Sequence, residues 1–298
     1  MGLKNTAVRP GYFIGFCNIF LKSITYAYSD QHEFNFMILV KKTFALLSIF
    51  IVSACVPEAA TISPDHSINE TLYSALENDQ RPAADKLRDL RRKPAQVLNF
   101  LELKPGMHVA EILAAGGYYT ELLSRVVGPG GTVYMQNNQK YYEYQTDLAV
   151  KERLQNERLG NVKQWDKELE DLQLPEQQLD AVFLMLVVHD FYWMSTAPQQ
   201  VINSIFASLK PGGTVGVVDH SAQSGSGISA AKDLHGLHRI DEEFVIEAFT
   251  QAGFILEGQS NLLRNQQDKR DKAFFDSSLT DKATDRFVLK FKKPQSLN

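Results

Sequence analysis

Met107-His-Val-Ala-Glu-Ile-Leu-Ala-Ala-Gly-Gly-Tyr-Tyr-Thr-Glu-Leu-Leu123 decides the fold. Its apolar start, closing on Glu111, reads as a buried strand. The small residues from Ala114 to Gly117 form a turn, and the stretch from Tyr118 onward reads as a helix. Such a turn lets backbone approach a ligand closely, while the helix start offers unpaired N–H groups. The pattern then recurs at domain spacing. Gly130-Gly-Thr-Val-Tyr-Met135 supplies a second strand, and Leu179-Asp-Ala-Val-Phe-Leu-Met-Leu-Val-Val188 a fully buried one. Leu209-Lys-Pro-Gly-Gly213 leads into Thr214-Val-Gly-Val-Val-Asp219.

Working outward, strands are predicted near 107–112, 131–136, 161–165, 179–187, 213–219, 253–259 and 284–292. Helices are predicted near 117–127, 138–158, 197–209 and 241–252. Alternating strands and helices argue for a parallel sheet covered on both faces. Ahead of it, helical patterns run over 69–78, 82–92 and 94–101; the second is strongly charged and expected on the surface. The last has proline in its first turn, where the missing N–H costs nothing.

The glycine turn and the Leu-Lys-Pro-Gly-Gly turn, in this order, resemble class I S-adenosylmethionine-dependent methyltransferases over residues 81–293. The pattern Leu262-Leu-Arg-Asn265 with Asp285-Arg-Phe-Val-Leu-Lys-Phe291 resembles a bacterial group of that family, often carrying export signals. The resemblance implies an α/β, doubly wound, Rossmann-like sheet of seven strands with one antiparallel strand. It also implies S-adenosylmethionine as cofactor and a small-molecule methyl acceptor.

In open α/β sheets ligands sit beyond the carboxyl ends of the strands. By resemblance, Glu111 and the loop Leu113-Ala-Ala-Gly-Gly117 wrap the methionine end of the cofactor. Three alternating glycines are the family pattern. Here Leu113 and Ala115 stand at the first two places and Gly117 at the third, with Gly116 expected to restore flexibility. Asn137 stands where an acidic residue binds the ribose, and Glu168 or Asp171 near the adenine contact. His189, Asp190 and His220 leave the fourth and fifth strands, which makes one of the histidines the candidate general base toward the acceptor. Tyr118, Tyr119, Phe191, Tyr192 and Trp193 are candidates for an apolar wall, whereas Tyr141-Tyr-Glu-Tyr144 reads as helix packing. A metal reading rests on His235 and His238, three apart, converging with His189, Asp190, Asp219 and His220. A structural role at strand ends is the third alternative, and the site assignment carries no metal. Arg264 with Asp285-Arg286 reads as an ion pair near the sheet edge.

The whole chain has 298 residues, 44% hydrophobic and 22% charged, enough for one substantial domain with extensions. A net charge of −4 offers no basic face, and no nucleic-acid motif is present. Lys41-Lys42 precede Thr43-Phe-Ala-Leu-Leu-Ser-Ile-Phe-Ile-Val-Ser-Ala-Cys55, which has the form of a signal peptide. Val52-Ser-Ala-Cys55 resembles a bacterial lipobox. The expected layout is a misannotated extension over 1–36 ahead of an initiator at Met37, a signal segment over 37–55, a tether and helix over 56–80, and the sheet domain over 81–293. Membrane attachment through lipidated Cys55 or an N-terminal anchor is expected, with the domain in the cell envelope, facing the periplasm as an outer-membrane lipoprotein, and cytoplasmic if the signal goes unused. Cys17 and Cys55 are the only cysteines, so no disulfide framework follows Cys55. Export sits uneasily with a cofactor made in the cytosol, which leaves an alternative: an exported protein whose methyltransferase fold binds a ligand or metal instead.

Overall fold

The computed structural model describes residues 70–143, 146–279 and 284–295. The proposed extension, the signal segment with Cys55 and residues 56–69 lie outside the described residues. Three helices come first: α1 (Glu70–Glu77), α2 (Ala83–Arg92) and α3 (Pro94–Phe100). Then follow β1 (His108–Glu111), α4 (Tyr118–Val127), β2 (Thr132–Asn137), α5 (Gln139–Glu143), α6 (Thr146–Leu154) and β3 (Val162–Asp166). The second half holds β4 (Leu179–Met185), α7 (Val188–Met194), α8 (Pro198–Ser208), β5 (Leu209–His220), α9 (Glu242–Gln251), β6 (Ile255–Ser260) and β7 (Arg286–Lys292).

The seven strands lie in the order β3-β2-β1-β4-β5-β7-β6. The first five are mutually parallel, and β7 runs antiparallel to both neighbours. The order reverses between β1 and β4, so their carboxyl ends open the crevice where this class of sheet binds ligands. Buried Val182, Leu184, Val215, Val217 and Leu289 face one apolar layer with Ile202, Ile205 and Phe249. Val109, Val133, Phe183, Val218 and Val288 face the other, against Leu122, Val126 and Leu98. Alternate residues of one strand thus supply opposite faces. Leu72 and Ala75 of α1 join this second layer, so the helix read as preceding the domain is packed into its core.

Three local expectations are corrected. The helix read over 138–158 is broken into α5 and α6, and Asn156 and Glu157 adopt left-handed φ of 55° and 53°. The charged helix α2 exposes Leu87 and Leu90 but buries Asp85, beside fully packed Arg81. Asp85 pairs with Arg88 and, 2.7 Å away, with Arg153 of α6. Finally β4 ends two residues before the predicted 187, and α7 fills the stretch that carried no predicted element. Among the described residues no helix is long and apolar enough to cross a membrane.

Candidate functional site

Beyond β1 the chain turns sharply. Leu113 and Ala115 hold φ of 50° and 49°, and Gly117 holds 77°. A side chain in this region costs roughly 1–2 kcal/mol, so the turn is strained at two of three places. Gly116 does not restore a left-handed residue; it supplies space, since a Cβ there would stand 2.9 Å from the Cβ of Ala149. A Cβ on Gly117 would meet Met135 Cε at 2.9 Å.

The backbone of the turn is tied to β2. Leu113 N–H donates to Gln136 Oε1 at 2.8 Å and Ala114 N–H to the Gln136 carbonyl at 2.9 Å. Ala115 N–H donates to Asn137 Oδ1 at 2.8 Å, and Asn137 Nδ2–H returns to the Ala115 carbonyl at 3.1 Å. Asn137, read by resemblance as a ribose ligand, is engaged here by the turn itself. It is wholly buried and both ends of its amide clamp the turn. Glu168 is exposed and accepts Gln139 N–H at 3.1 Å, next to the same rim.

Glu111 lies at the end of β1, 3% exposed, accepting the Thr120 hydroxyl at 2.5 Å. Burial raises its carboxyl from 4.5 to about 7, against the opposing pull of the Thr120 bond, Arg92 and Arg153. Below the turn, buried Glu121 binds Arg125, Arg153 and Arg158, and Arg153 Nε–H also holds the Gly116 carbonyl at 3.0 Å.

The second cluster gathers beyond β4 and β5. His189 Nδ1 lies 2.7 Å from Asp219 Oδ1, and His189 Nε2 lies 3.2 Å from Asp190 Oδ1. Asp219 also accepts the backbone N–H of His189 and of His220. Burial lowers the His189 imidazole, but Asp190 and then Asp219 outweigh it and raise it to about 9. Burial and the neighbouring His189 push His220 well below the ordinary value. His220 Nδ1 meets the Thr284 hydroxyl at 2.6 Å and stacks on Phe274 at 4.7 Å between centroids. His238 Nδ1 stands 3.6 Å from Asp190 Oδ1. Asp190 further accepts Trp193 Nε1–H at 2.7 Å and the Tyr141 hydroxyl at 2.7 Å.

The structure thus brings together His189, Asp190, Asp219, His220 and His238, and leaves His235 exposed and apart. The aromatic wall is divided. Tyr118 and Tyr119 pack edge to face under the N-terminal helices, with the Tyr118 hydroxyl on Asp89 and the Arg92 guanidinium 4.5 Å from its ring. Phe191 is core and Tyr192 packs on Phe244. Only Trp193 of that set reaches the cluster. Sequence reasoning missed Phe274 and Phe275, whose rings cover His238, and Tyr141, which comes from the β2 side to Asp190. Lys140 lies over the Trp193 ring at 4.8 Å. Tyr141 and Lys140 therefore join the exit of β2 to the exit of β4, across the end of β1.

A family model described as a methyltransferase domain matches residues 114–217, from within the strained turn into β5. Over that stretch, about a third of the chain, the sequence is similar to the methyltransferase domain family. In fold it is similar to a SAM dependent methyltransferase from Aquifex aeolicus, 19% identical, with 70% of this chain and 95% of that one covered at a TM-score of 0.52. It is also similar to phosphoethanolamine N-methyltransferase 2 from Haemonchus contortus, solved in complex with S-adenosyl-L-methionine. That likeness is 18% identical, covers 68% of this chain and 53% of that one, and has a TM-score of 0.50. The methyltransferase match contains the turn, Asn137, His189 and Asp190, and stops before Asp219, His220 and His238.

The donor set along the rim fits S-adenosylmethionine. The buried Glu111 carboxyl suits the ammonium group of the methionine end, the turn brings backbone close, and Glu168, read by resemblance as near the adenine, is exposed on the same rim. Asn137 would have to release Ala115 to serve a ribose hydroxyl.

Proposed function

We propose that this methyltransferase acts on a small-molecule acceptor held between the strained turn and the histidine cluster. One observation carries the reading: Glu111 ends β1, and the buried cluster His189, Asp190 and His220 lies at the carboxyl ends of the neighbouring β4 and β5, with Tyr141 bonding Asp190 from the β2 side. When bound, the cofactor supplies the electrophilic methyl group. The chain's own residues position the two reactants and shield them from water. Asp219 fixes the His189 ring, and Thr284 fixes His220, so both imidazoles keep a set orientation toward an acceptor proton.

The test is calorimetric titration of S-adenosylmethionine and S-adenosylhomocysteine into the purified full chain. Micromolar binding of both, weakened in Glu111→Ala, is expected. No heat and no thermal shift at millimolar ligand would refute the reading.

The same proposal includes membrane attachment at Cys55, supported by Lys41-Lys42, the apolar run and Val52-Ser-Ala-Cys55. Intact-mass analysis of protein extracted from membranes should show a lipid adduct that Cys55→Ser abolishes. An unmodified, soluble wild-type protein would contradict it.

A further inference from the structure

We propose that His189 Nε2, Asp190 Oδ1 and His238 Nδ1 form a binding site for a divalent transition-metal cation such as zinc.

The protonation pattern is the first ground. A backbone carbonyl can only accept, so the 2.9 Å contact between His238 Nε2 and the Leu234 carbonyl puts the proton on Nε2. His238 Nδ1, in the neutral ring, is then a bare lone pair facing Asp190. Asp219 likewise fixes the Nδ1 proton of His189 at 2.7 Å and aims Nε2 at the same Asp190 oxygen. Two imidazole nitrogens and a carboxylate oxygen thus converge at 3.2 and 3.6 Å, and a divalent cation can take the place of the proton on His189 Nε2 among them. Carboxylate–histidine and carbonyl–histidine pairs of this kind orient metal ligands.

Geometry is the second ground. The three ligand atoms lie within 4.8 Å of one another. Ligands at about 2.05 Å from a tetrahedral ion stand about 3.3 Å apart, close to the two separations to Asp190. Two imidazoles and one carboxylate suit zinc or a similar ion and leave a position for water or an acceptor heteroatom.

The surroundings are the third. All three residues are buried, and Phe274 and Phe275 cover them. Asp190 is aimed by Trp193 and Tyr141. His238 holds a left-handed φ of 51°, a conformation that a non-glycine residue keeps only when its surroundings impose it. His238 lies outside the residues that match the methyltransferase domain, so the site is not implied by that match. Nor does it depend on methyl transfer.

The experiment uses the tag-free full chain, stripped with a chelator and dialysed. It is titrated with Co²⁺ followed by visible absorption, then with Zn²⁺ as competitor, with metal content measured by mass spectrometry. One ion per chain, a cobalt spectrum of low coordination number and displacement by zinc are expected. His238→Ala and Asp190→Ala should each weaken binding at least about 100-fold, while His235→Ala should not change it. Where a variant fails to fold by circular dichroism, spin-echo spectroscopy of the wild type loaded with Cu²⁺ decides by counting two coordinated imidazoles. No stoichiometric uptake by the wild type, undiminished uptake in folded variants, or no imidazole coupling would overturn the proposal. Because no cofactor is present, failure here is distinct from failure to bind S-adenosylmethionine.

Discussion

Replacing Glu111 by glutamine should make the protein more stable at alkaline pH and nearly unchanged at acid pH. The carboxyl is buried at the end of β1, and burial raises it from 4.5 to about 7 despite Thr120, Arg92 and Arg153. A raised carboxyl favours the protonated form in the folded state. Its stabilising contribution is therefore complete below the unfolded value and lost as pH rises through the folded one. At about 1.4 kcal/mol per pH unit between the two values, the loss approaches a ceiling of roughly 3 kcal/mol. Between pH 5 and 8 it amounts to about 2.5 kcal/mol, a sizeable share of the 5–15 kcal/mol that holds a typical domain together. Glutamine keeps the oxygen that accepts from Thr120 and removes the ionisation. Urea unfolding of wild type and Glu111→Gln at pH 5, 6, 7 and 8 checks this, since every other group titrates in both proteins. The gap should open in favour of the variant as pH rises. A gap that stays constant within about 0.5 kcal/mol would refute the assignment of that titration to Glu111.

Other perturbations follow from the same contacts. Glu121→Ala removes the buried carboxylate shared by Arg125, Arg153 and Arg158, leaving Arg153 with Asp85 alone, and should cost about 3–5 kcal/mol in urea unfolding; a cost under about 1 kcal/mol would place the cluster among surface salt bridges. Gly117→Ala adds a Cβ at φ 77° and 2.9 Å from Met135 and should lower stability by about 2 kcal/mol or more, whereas Ala115→Gly should stay within about 1 kcal/mol of wild type. Equal melting temperatures for the two variants would contradict the strained turn. Tyr141→Phe removes the hydroxyl that Asp190 accepts and should speed proteolytic cleavage around α5, at a cost of about 1–3 kcal/mol. Unchanged cleavage would show that this bond does not hold α5 in place.

The strands were legible because each is a short apolar run bounded by glycine, proline or charge, and their alternation with helices fixed the sheet class. The rim residues followed from where those strands end. Arg264 and Asp285 were also readable, and they stand 3.3 Å apart. What escaped depends on contacts between distant segments. The side chain of Asn137 bonds backbone 22 residues away, and Tyr141 reaches Asp190 across 49. Spacing misled at His235 and His238, because three residues apart means one face only on a helix. Residues 232–239 form turns, and His238 departs to positive φ, so just one of the two points inward. No element was read between 187 and 197, where the seven residues of α7 are too few to show a helical period. Leu113 was read as a glycine replaced, yet its side chain is 2% exposed within the core. Leu113→Gly would therefore open a cavity as well as relax the turn.

The position of β7 has a bearing on biosynthesis. It is inserted between β5 and β6, so β6 has no partner until β7 arrives. Residues 261–285, 25 in all, separate the two, which at about 5–20 residues per second means about 1–5 seconds on the ribosome with an open sheet. Thr284 and Asp285, just ahead of β7, carry the hydroxyl that steadies His220 and the carboxylate that pairs with Arg264 and Arg270. The histidine cluster is therefore unfinished in any nascent chain that has not yet delivered this strand. Competence arrives in a single late step, with the same event that seals the sheet.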